Sequence, residues 1–271
     1  MNPVPAAAAG GSVLLESVQS GVALLVMNRP EKLNALNNEL ATALSAAFER
    51  VANNPSIRVV VLTGAGRAFC AGGDLGMIGK GREARDPKQL EPILRAGMDA
   101  VLRMRTIPQP VIAAVNGAAA GAGMNIALAA DIRISAEEAM FGQNFAKVGL
   151  FPDYGGTFFL PQLVGPAKAA ELFYTGDMID AREAFRLGLV NRVVPGAQLE
   201  SEVKAYAVKL AAGPPLAMRA VKQTLFGADK KALMQALEAE AVEQMRCFAL
   251  EDSLEGIRAF FEKRAPNFKG H

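Results

Sequence analysis

The sequence predicts an α/β fold, and three observations carry that reading. Residues 58–62 (RVVVL) and Val111–Val115 (VIAAV) are short, continuously apolar runs of the kind that form strands buried on both faces. Each passes through a glycine-rich turn, starting at Gly64 and Gly117, toward a helix-like segment, so strand, glycine turn and helix form a weak internal repeat. Beyond Pro166 the pattern is mostly helical.

Taken in order, residues 1–11 (MNPVPAAAAGG) read as a frayed tail, with neither the basic start nor the apolar centre of a signal peptide. Residues 12–18 and Val22–Met27 are β-branched-rich runs separated by Gln19, Ser20 and Gly21, which predicts a hairpin. In NRPEKLNAL, Pro30 ends the strand, and Asn37 or Asn38 caps a helix reaching about Ala52. Leu40, Leu44, Ala47, Phe48 and Val51 share one face of that helix, and Pro55 ends it. After residues 58–62 comes a second glycine-rich turn, TGAGRAFCAGGDL. Residues 76–88 (GMIGKGREARDPK) have the polarity and glycine content of a mobile loop, followed by a helix to about Met104. Residues 132–135 predict a short strand, and residues 139–162 gather aromatics, glycines and prolines around one acid, Asp153. Leu233, Leu237, Ala241, Met245 and Phe248 form a helical stripe, as do Leu254, Ile257 and Phe261. The organisation is a tail (1–11), a core (12–205) and a C-terminal helical region (206–271).

The 271 residues suffice for one large domain, and 51% hydrophobic with 21% charged residues describe an ordinary soluble globule. A net charge of +2 without a basic stripe points to no nucleic-acid partner. No apolar run reaches the roughly 18 residues of a membrane span, so a cytoplasmic protein is the expectation. Cys70 and Cys247 make no disulfide framework and fit a reducing compartment. The only histidine is His271 at the end of the chain, which argues against Ser-His and Cys-His nucleophile pairs and His-based zinc sites; no metal site is expected. Catalysis must rest on carboxylates, amides, backbone groups or lysine.

The stretch NGAAAGAGMNIALAAD (residues 116–131) joins a strand to a helix through Gly117, Gly121 and Gly123, with alanines between them. A crowded helix start of this kind presents free N–H groups to an anion, or simply packs a helix closely on a sheet. With AFCAGGDL it offers two main-chain N–H groups, those of Gly73 and Ala122, that could converge as an oxyanion hole. A dinucleotide-binding reading of GAGMNI is weakened, because Ile126 stands at the third glycine and no acid follows about 20 residues on.

These motifs, with NRPEKLNAL upstream, FPDYGGT downstream and FFEKRAPNF near the end, resemble the crotonase family, also called the enoyl-CoA hydratase/isomerase family. The resemblance implies a crotonase-like superhelix of repeated ββα units, a helical C-terminal part serving oligomerisation and CoA contact, and a homotrimer or dimer of trimers. It implies that Gly73 and Ala122 grip the thioester oxygen of an acyl-CoA, with no cofactor beyond the CoA moiety of the substrate. CoA would lie along Lys32, Ala35, Ala71, Asp74 and Leu75, and be reached by Phe260 and Lys263; the two lysines equally fit a solvated surface. Met77, Met124, Asn125, Phe145 and Tyr154 are placed in the acyl pocket.

The family's hydratases use two glutamates, and aligning by the flanking glycines places these at Asn125 and Phe145. Neither side chain can exchange a proton as a carboxylate does. Asp153 remains, and isomerase-type members carry an aspartate at this place as a proton shuttle. Phe145, Phe151, Tyr154 and Phe158 would desolvate it. Asp153 also fits the N-cap of a helix starting near Gly155, a role that does not exclude catalysis. The expectation is an enzyme that moves a double bond through a thioester enolate, or isomerises a ring-epoxide acyl-CoA, since PDYGGTFFLPQLVG resembles the phenylacetate-pathway isomerases. The alternatives are an enoyl-CoA hydratase with an atypical site and, in another class, a non-catalytic CoA-binding or RNA-binding member of the family. A related dehalogenase would be expected to supply helper residues such as histidine and tryptophan, and the chain has no tryptophan.

Overall fold

The computed structural model describes residues 12–84 and 90–271. The proposed tail and residues 85–88 of the proposed loop lie outside the described residues. In chain order the strands are β1 (Leu14–Gln19), β2 (Val22–Met27), β3 (Val59–Gly64), β4 (Ala68–Cys70), β5 (Val111–Val115), β6 (Ala118–Ala120), β7 (Ile132–Ala136), β8 (Met140–Gly142), β9 (Met178–Asp180) and β10 (Arg192–Val194). They build a six-stranded sheet, β1-β2-β3-β5-β7-β10, and a four-stranded sheet, β4-β6-β8-β9. The helices are α1 (Asn38–Ala52), α2 (Leu75–Glu83), α3 (Glu91–Thr106), α4 (Ala122–Ala129), α5 (Gly156–Val164), α6 (Pro166–Thr175), α7 (Ala181–Arg186), α8 (Leu199–Ala211), α9 (Pro215–Phe226), α10 (Lys230–Ala249) and α11 (Glu251–Glu262). None among the described residues is long and apolar enough to cross a membrane.

The hairpin forms as predicted: Ser20 and Gly21 both take positive φ (52° and 76°), the backbone of a primed two-residue turn that matches strand twist. From β2 onward the six-stranded sheet is parallel and covered on both faces, which is why VALLVM and VIAAV are unbroken rather than alternating. One face (Ala23, Leu25, Met27, Val60, Leu62, Val111, Ala113, Val115) packs in the core with α1 and α3. The other face (Val22, Leu24, Val26, Val59, Val61, Ile112, Ala114) packs with Leu199, Val203 and Ala207 of α8. Helix α1 starts where Asn37 accepts a hydrogen bond from Leu40 N–H, and it buries the predicted face together with Ala41. Each large apolar side chain so buried contributes roughly 1.5–3 kcal/mol.

Several expectations are corrected. Residues 76–88 are not a loop throughout: Leu75–Glu83 is helix α2, capped by the Asp74 carboxylate. Its glycines permit close packing, since a Cβ on Gly79 would lie 3.1 Å from Ile257 of α11. Its Arg82 is buried and donates to Leu250 O (3.2 Å) and Ser253 Oγ (3.3 Å) while pairing with Glu251 (2.9 Å). Within NGAAAGAG, Ala118–Ala120 is a strand, and β9 and β10 interrupt the region expected to be helical. The boundary drawn between residues 205 and 206 falls inside α8. Phe261 is exposed; α11 buries Ser253, Gly256, Ile257 and Ala259 instead. Small residues are required there, because a Cβ on Gly256 would lie 2.5 Å from the Val148 backbone.

Candidate active site

The site follows from strand pairing in the smaller sheet. β4 and β6 are parallel neighbours (Ala68 opposite Ala118), and β6 and β8 are parallel in turn (Ala120 opposite Gly142). Their carboxyl ends therefore open on the same side, where α/β sheets hold ligands. β4 leads through Ala71–Asp74 into α2, β6 through Gly121 into α4, and β8 into the 3-10 turn Asn144–Val148. The first two turns touch, since a Cβ on Gly72 (φ 97°) would lie 2.8 Å from Ala120 O and 3.7 Å from Ala122 N. Gly121 takes φ 50°, stands at the N-cap of α4 and donates to Gly142 O at 2.8 Å.

Gly73 follows Gly72 at this contact, and both Gly73 and Ala122 line a cavity of about 180 Å³. Leu36 N–H donates to Gly72 O (2.7 Å) and Leu36 O accepts from Asp74 N–H (2.8 Å). In such a parallel bridge the residue between, Gly73, turns its own N–H away from Leu36. Ala122 is the first residue of α4, where a helix has no internal acceptor for the N–H. Among the described turn and loop bonds, neither N–H is given to a carbonyl.

Asp153 is the one carboxylic acid among the described residues lining the cavity. It is 8% exposed, and its carboxyl is pushed up to about 8. Burial is the largest cause; the Gln244 hydrogen bond offsets part of it, and the charge of Glu240 adds to it. Gln244 Nε2 donates to Oδ2 at 3.2 Å, whereas Oδ1 is buried without a hydrogen-bond partner among the described residues. The peptide bearing Asp153 is clamped from three helices. Asn125 Nδ2 of α4 donates to Asp153 O (2.7 Å), and Tyr154 Oη donates to Ile93 O of α3 (2.7 Å). Tyr154 holds the strained φ of 54° with its ring against Gly97, where a Cβ would lie 1.8 Å from Cζ. From α10, Glu240 accepts from Gly155 N–H (2.7 Å), Thr157 N–H (2.8 Å) and Thr157 Oγ1 (2.5 Å), capping α5.

The N-cap position of α5 is Gly155, and Asp153 contributes only its carbonyl, to Gly156 N–H at 3.1 Å. The expected capping role of the Asp153 side chain thus belongs to Glu240, which sequence reasoning missed together with Gln244 and Gly97.

Of the residues placed in the pocket, Phe145 and Tyr154 line it; Met77, Met124 and Asn125 do not. Helix rotation explains Asn125: it lies fully buried behind the cavity, with Oδ1 accepting from Gln143 Nε2 at 2.6 Å. Met124 is in the core and Met77 packs against it. Phe151 and Phe158 are also absent from the wall around Asp153, and Phe158 lines a separate cavity beside Arg105.

Of the residues placed along CoA, Ala71, Leu75 and Phe260 line the cavity, Phe260 being 57% exposed at its rim. Ala35 is buried beside it, its carbonyl held by Arg29, which also pairs with Asp74 at 3.0 Å. Asn34 ties the two segments together by accepting from Arg29 N–H and donating to Ala65 O and Ala68 O. Lys32 is exposed at the end of the 3-10 turn Pro30–Lys32, and Lys263 is exposed at the C-cap of α11; neither lines the cavity. A larger cavity of about 650 Å³ lies between the main sheet and α8, but the polar side chains Thr63 and Asn116 in its wall are engaged with the backbone. Among the described residues no group of three or more His, Cys, Asp or Glu is placed to hold a metal ion.

With this geometry in view, the sequence matches the profile described as enoyl-CoA hydratase/isomerase over residues 17–271. The chain belongs to the enoyl-CoA hydratase/isomerase family. It is 42% identical to a probable enoyl-CoA hydratase of Rhodobacter capsulatus, covering 93% of this chain and 96% of that one. It is 38% identical to the 1,2-epoxyphenylacetyl-CoA isomerase of Escherichia coli, covering 95% and 98%. Among solved structures, an enoyl-CoA hydratase from Mycobacterium avium subsp. paratuberculosis superposes with a TM-score of 0.87 at 32% identity, covering 95% and 98%. The crotonase fold implied by the sequence motifs is therefore the fold of this family member, and an acyl-CoA substrate is consistent with the family.

Proposed function

We propose that this chain is an isomerase-type acyl-CoA enzyme that shifts a double bond from the 3,4 to the 2,3 position, with Asp153 as proton shuttle. The observation that carries this reading is the cavity wall, which presents one buried carboxylic acid with a free oxygen beside two main-chain N–H groups. Thioester oxygen held by Gly73 and Ala122 N–H makes the C2 proton removable. Asp153 takes that proton, the C2–H electron pair enters the thioester as an enolate, and C3=C4 conjugates with it. When the carbonyl re-forms, C2=C3 appears and C4 receives the proton back from Asp153. Atoms balance without water, and the reaction as proposed uses no cofactor beyond the CoA moiety.

A ring-epoxide acyl-CoA is a second substrate class for the same enolate chemistry, favoured by the 38% identity to a protein named 1,2-epoxyphenylacetyl-CoA isomerase. CoA is proposed to follow the Lys32, Ala35, Ala71, Asp74 and Leu75 segments toward Phe260 and Lys263. A homotrimer or dimer of trimers is proposed on the family resemblance and on α9, which leaves Leu216, Val221 and Leu225 at 78%, 57% and 61% exposure. Sedimentation of the purified protein tests the assembly. The functional test is a side-by-side panel of 3-enoyl, 2-enoyl and ring-epoxide arylacetyl-CoA esters. Conversion of a 3-enoyl or epoxide ester far faster than hydration of a 2-enoyl ester is expected; the reverse ratio makes the protein a hydratase.

A further inference from the structure

We infer that Gln244 and Glu240, one helical turn apart on α10, are positioning residues for Asp153: Gln244 aims its carboxylate and Glu240 holds the backbone that carries it. The inference rests on the reading of Asp153 as the proton shuttle and assigns part of that machinery to the C-terminal helical region.

The Gln244 amide has a fixed orientation. Its Oε1 accepts from Phe151 N–H at 3.0 Å, a group that can only donate, so Nε2 is the atom facing Asp153. That N–H occupies Oδ2 and leaves Oδ1 as the oxygen free to take a proton. Gln244 is 2% exposed and Glu240 is 2% exposed, on a helix stripe otherwise made of Leu233, Leu237, Ala241 and Phe248. Two buried polar side chains at i and i+4 on such a stripe cost free energy unless their partners repay it. Between them they bond Phe151, Asp153, Gly155 and Thr157, which spans both sides of the acid. Burial pushes the Glu240 carboxyl up, and the donors it meets, a backbone N–H on each oxygen, offset part of that.

Among the described residues, the other groups around Asp153 leave these two as the polar side chains that bear most directly on its charge. Tyr154 is committed to Ile93 O, and the buried Cys70 thiol near it is pushed up to about 12, so both stay neutral. Lys147 on the cavity wall pairs with Asp177 at 3.1 Å. Asn125 of α4 meets the Asp153 carbonyl, and α2, α3 and α11 present Ile78, Leu94 and Phe260 to the cavity.

The test uses the full-length protein and the pH dependence of turnover on a 3-enoyl-CoA. Gln244→Met loses the bond to Oδ2, and Gln244→Glu replaces the neutral N–H donor with a second carboxyl while keeping an acceptor for Phe151 N–H. Both are expected to lower kcat at pH 7 on the order of tenfold, to change KM by less than about twofold, and to move the acidic limb to higher pH. Glu240→Gln removes a like charge and is expected to move the limb to lower pH. An infrared titration reads the same shifts without turnover, through the protonated carboxyl band that disappears in Asp153→Asn. Limbs that stay at the wild-type position, or that move together, overturn the inference. If Asp153→Asn retains full activity, the proton-shuttle reading itself has failed; if that variant is dead while the α10 variants match wild type, only the positioning inference has.

Discussion

Asp153 and Glu240 are both buried carboxylic acids beside the start of α5, and their oxygens are satisfied in opposite ways. Glu240 receives three donors from Gly155 and Thr157 and closes the end of the helix. Asp153 receives one neutral amide and keeps an oxygen free in the cavity wall. Burial pushes both carboxyls up; for Glu240 the hydrogen bonds from Thr157 and Gly155 offset part of the rise, while Asp153 reaches about 8 with Gln244 as its one side-chain donor among the described residues. The difference separates structure from chemistry: an acid with a donor on each oxygen is part of the scaffold, while an acid left with one oxygen unbonded can exchange a proton.

The largest effect that could break this comparison is on turnover. Asp153→Asn is expected to lower kcat on the best acyl-CoA by about 10²–10⁴-fold, while calorimetric affinity for a CoA thioester stays near wild type. Retained activity would remove the distinction between the two acids. The second effect is on stability. The folded value of Asp153, about 8, lies above the roughly 3.9 of an unfolded aspartate, so the folded state holds a proton that the unfolded chain releases. Stability contributed by this group is therefore complete below about pH 4, declines as pH rises, and is gone above about pH 8. Asp153→Asn removes that decline; urea unfolding at pH 9 is expected to show the variant more stable, by at most about 6 kcal/mol. An equal pH dependence in both proteins would mean that the carboxyl is not perturbed. Third, Glu240→Ala leaves the Gly155 and Thr157 N–H groups without acceptors and is expected to cost about 3 kcal/mol by the same unfolding measurement. A loss below about 1 kcal/mol would show that water replaces the cap.

How much of this was legible in the sequence depended on element length and on who the neighbours are. The α1 stripe and the β2, β3 and β5 runs are long enough for period and apolarity to declare themselves, and the glycines of both turns announce backbone that must approach other backbone. β6, β9 and β10 have three residues each, too few for any pattern. Helix α2 reads as loop because Gly76, Gly79 and Gly81 lower its propensity, and only the docked α11 shows what the missing side chain at Gly79 is for. Asp153 was visible as the lone acid among aromatics. Glu240 and Gln244 were not, although both interrupt the apolar stripe of α10, because polar residues on a helix read as solvated until a buried partner is known. Met77, Met124 and Asn125 lie off the cavity wall for a similar reason: proximity in sequence to a proposed oxyanion donor does not say which way a helix turns the next residues.

A third acid near the cavity extends the comparison with the smallest effect. Asp74 accepts from Met77 N–H at 3.3 Å, capping α2, and pairs with Arg29 at 3.0 Å. Burial pushes its carboxyl up, but the Arg29 bond, the Met77 N–H and the charges of Arg29 and Lys32 outweigh that, and the net direction is down. The sign is opposite to that of Asp153: the stability that Asp74 provides is present above the unfolded value and is lost as pH falls through the folded one. Asp74→Asn keeps a side chain that caps helices well and loses only the ion pair, so it is expected to cost about 1 kcal/mol near pH 7 and less below pH 4. Turnover is expected to fall less than about threefold, because this acid is paired with a cation. Loss of turnover comparable to that of Asp153→Asn, with stability unchanged, would move Asp74 from the scaffold into the chemistry and would break the rule that a paired acid is structural.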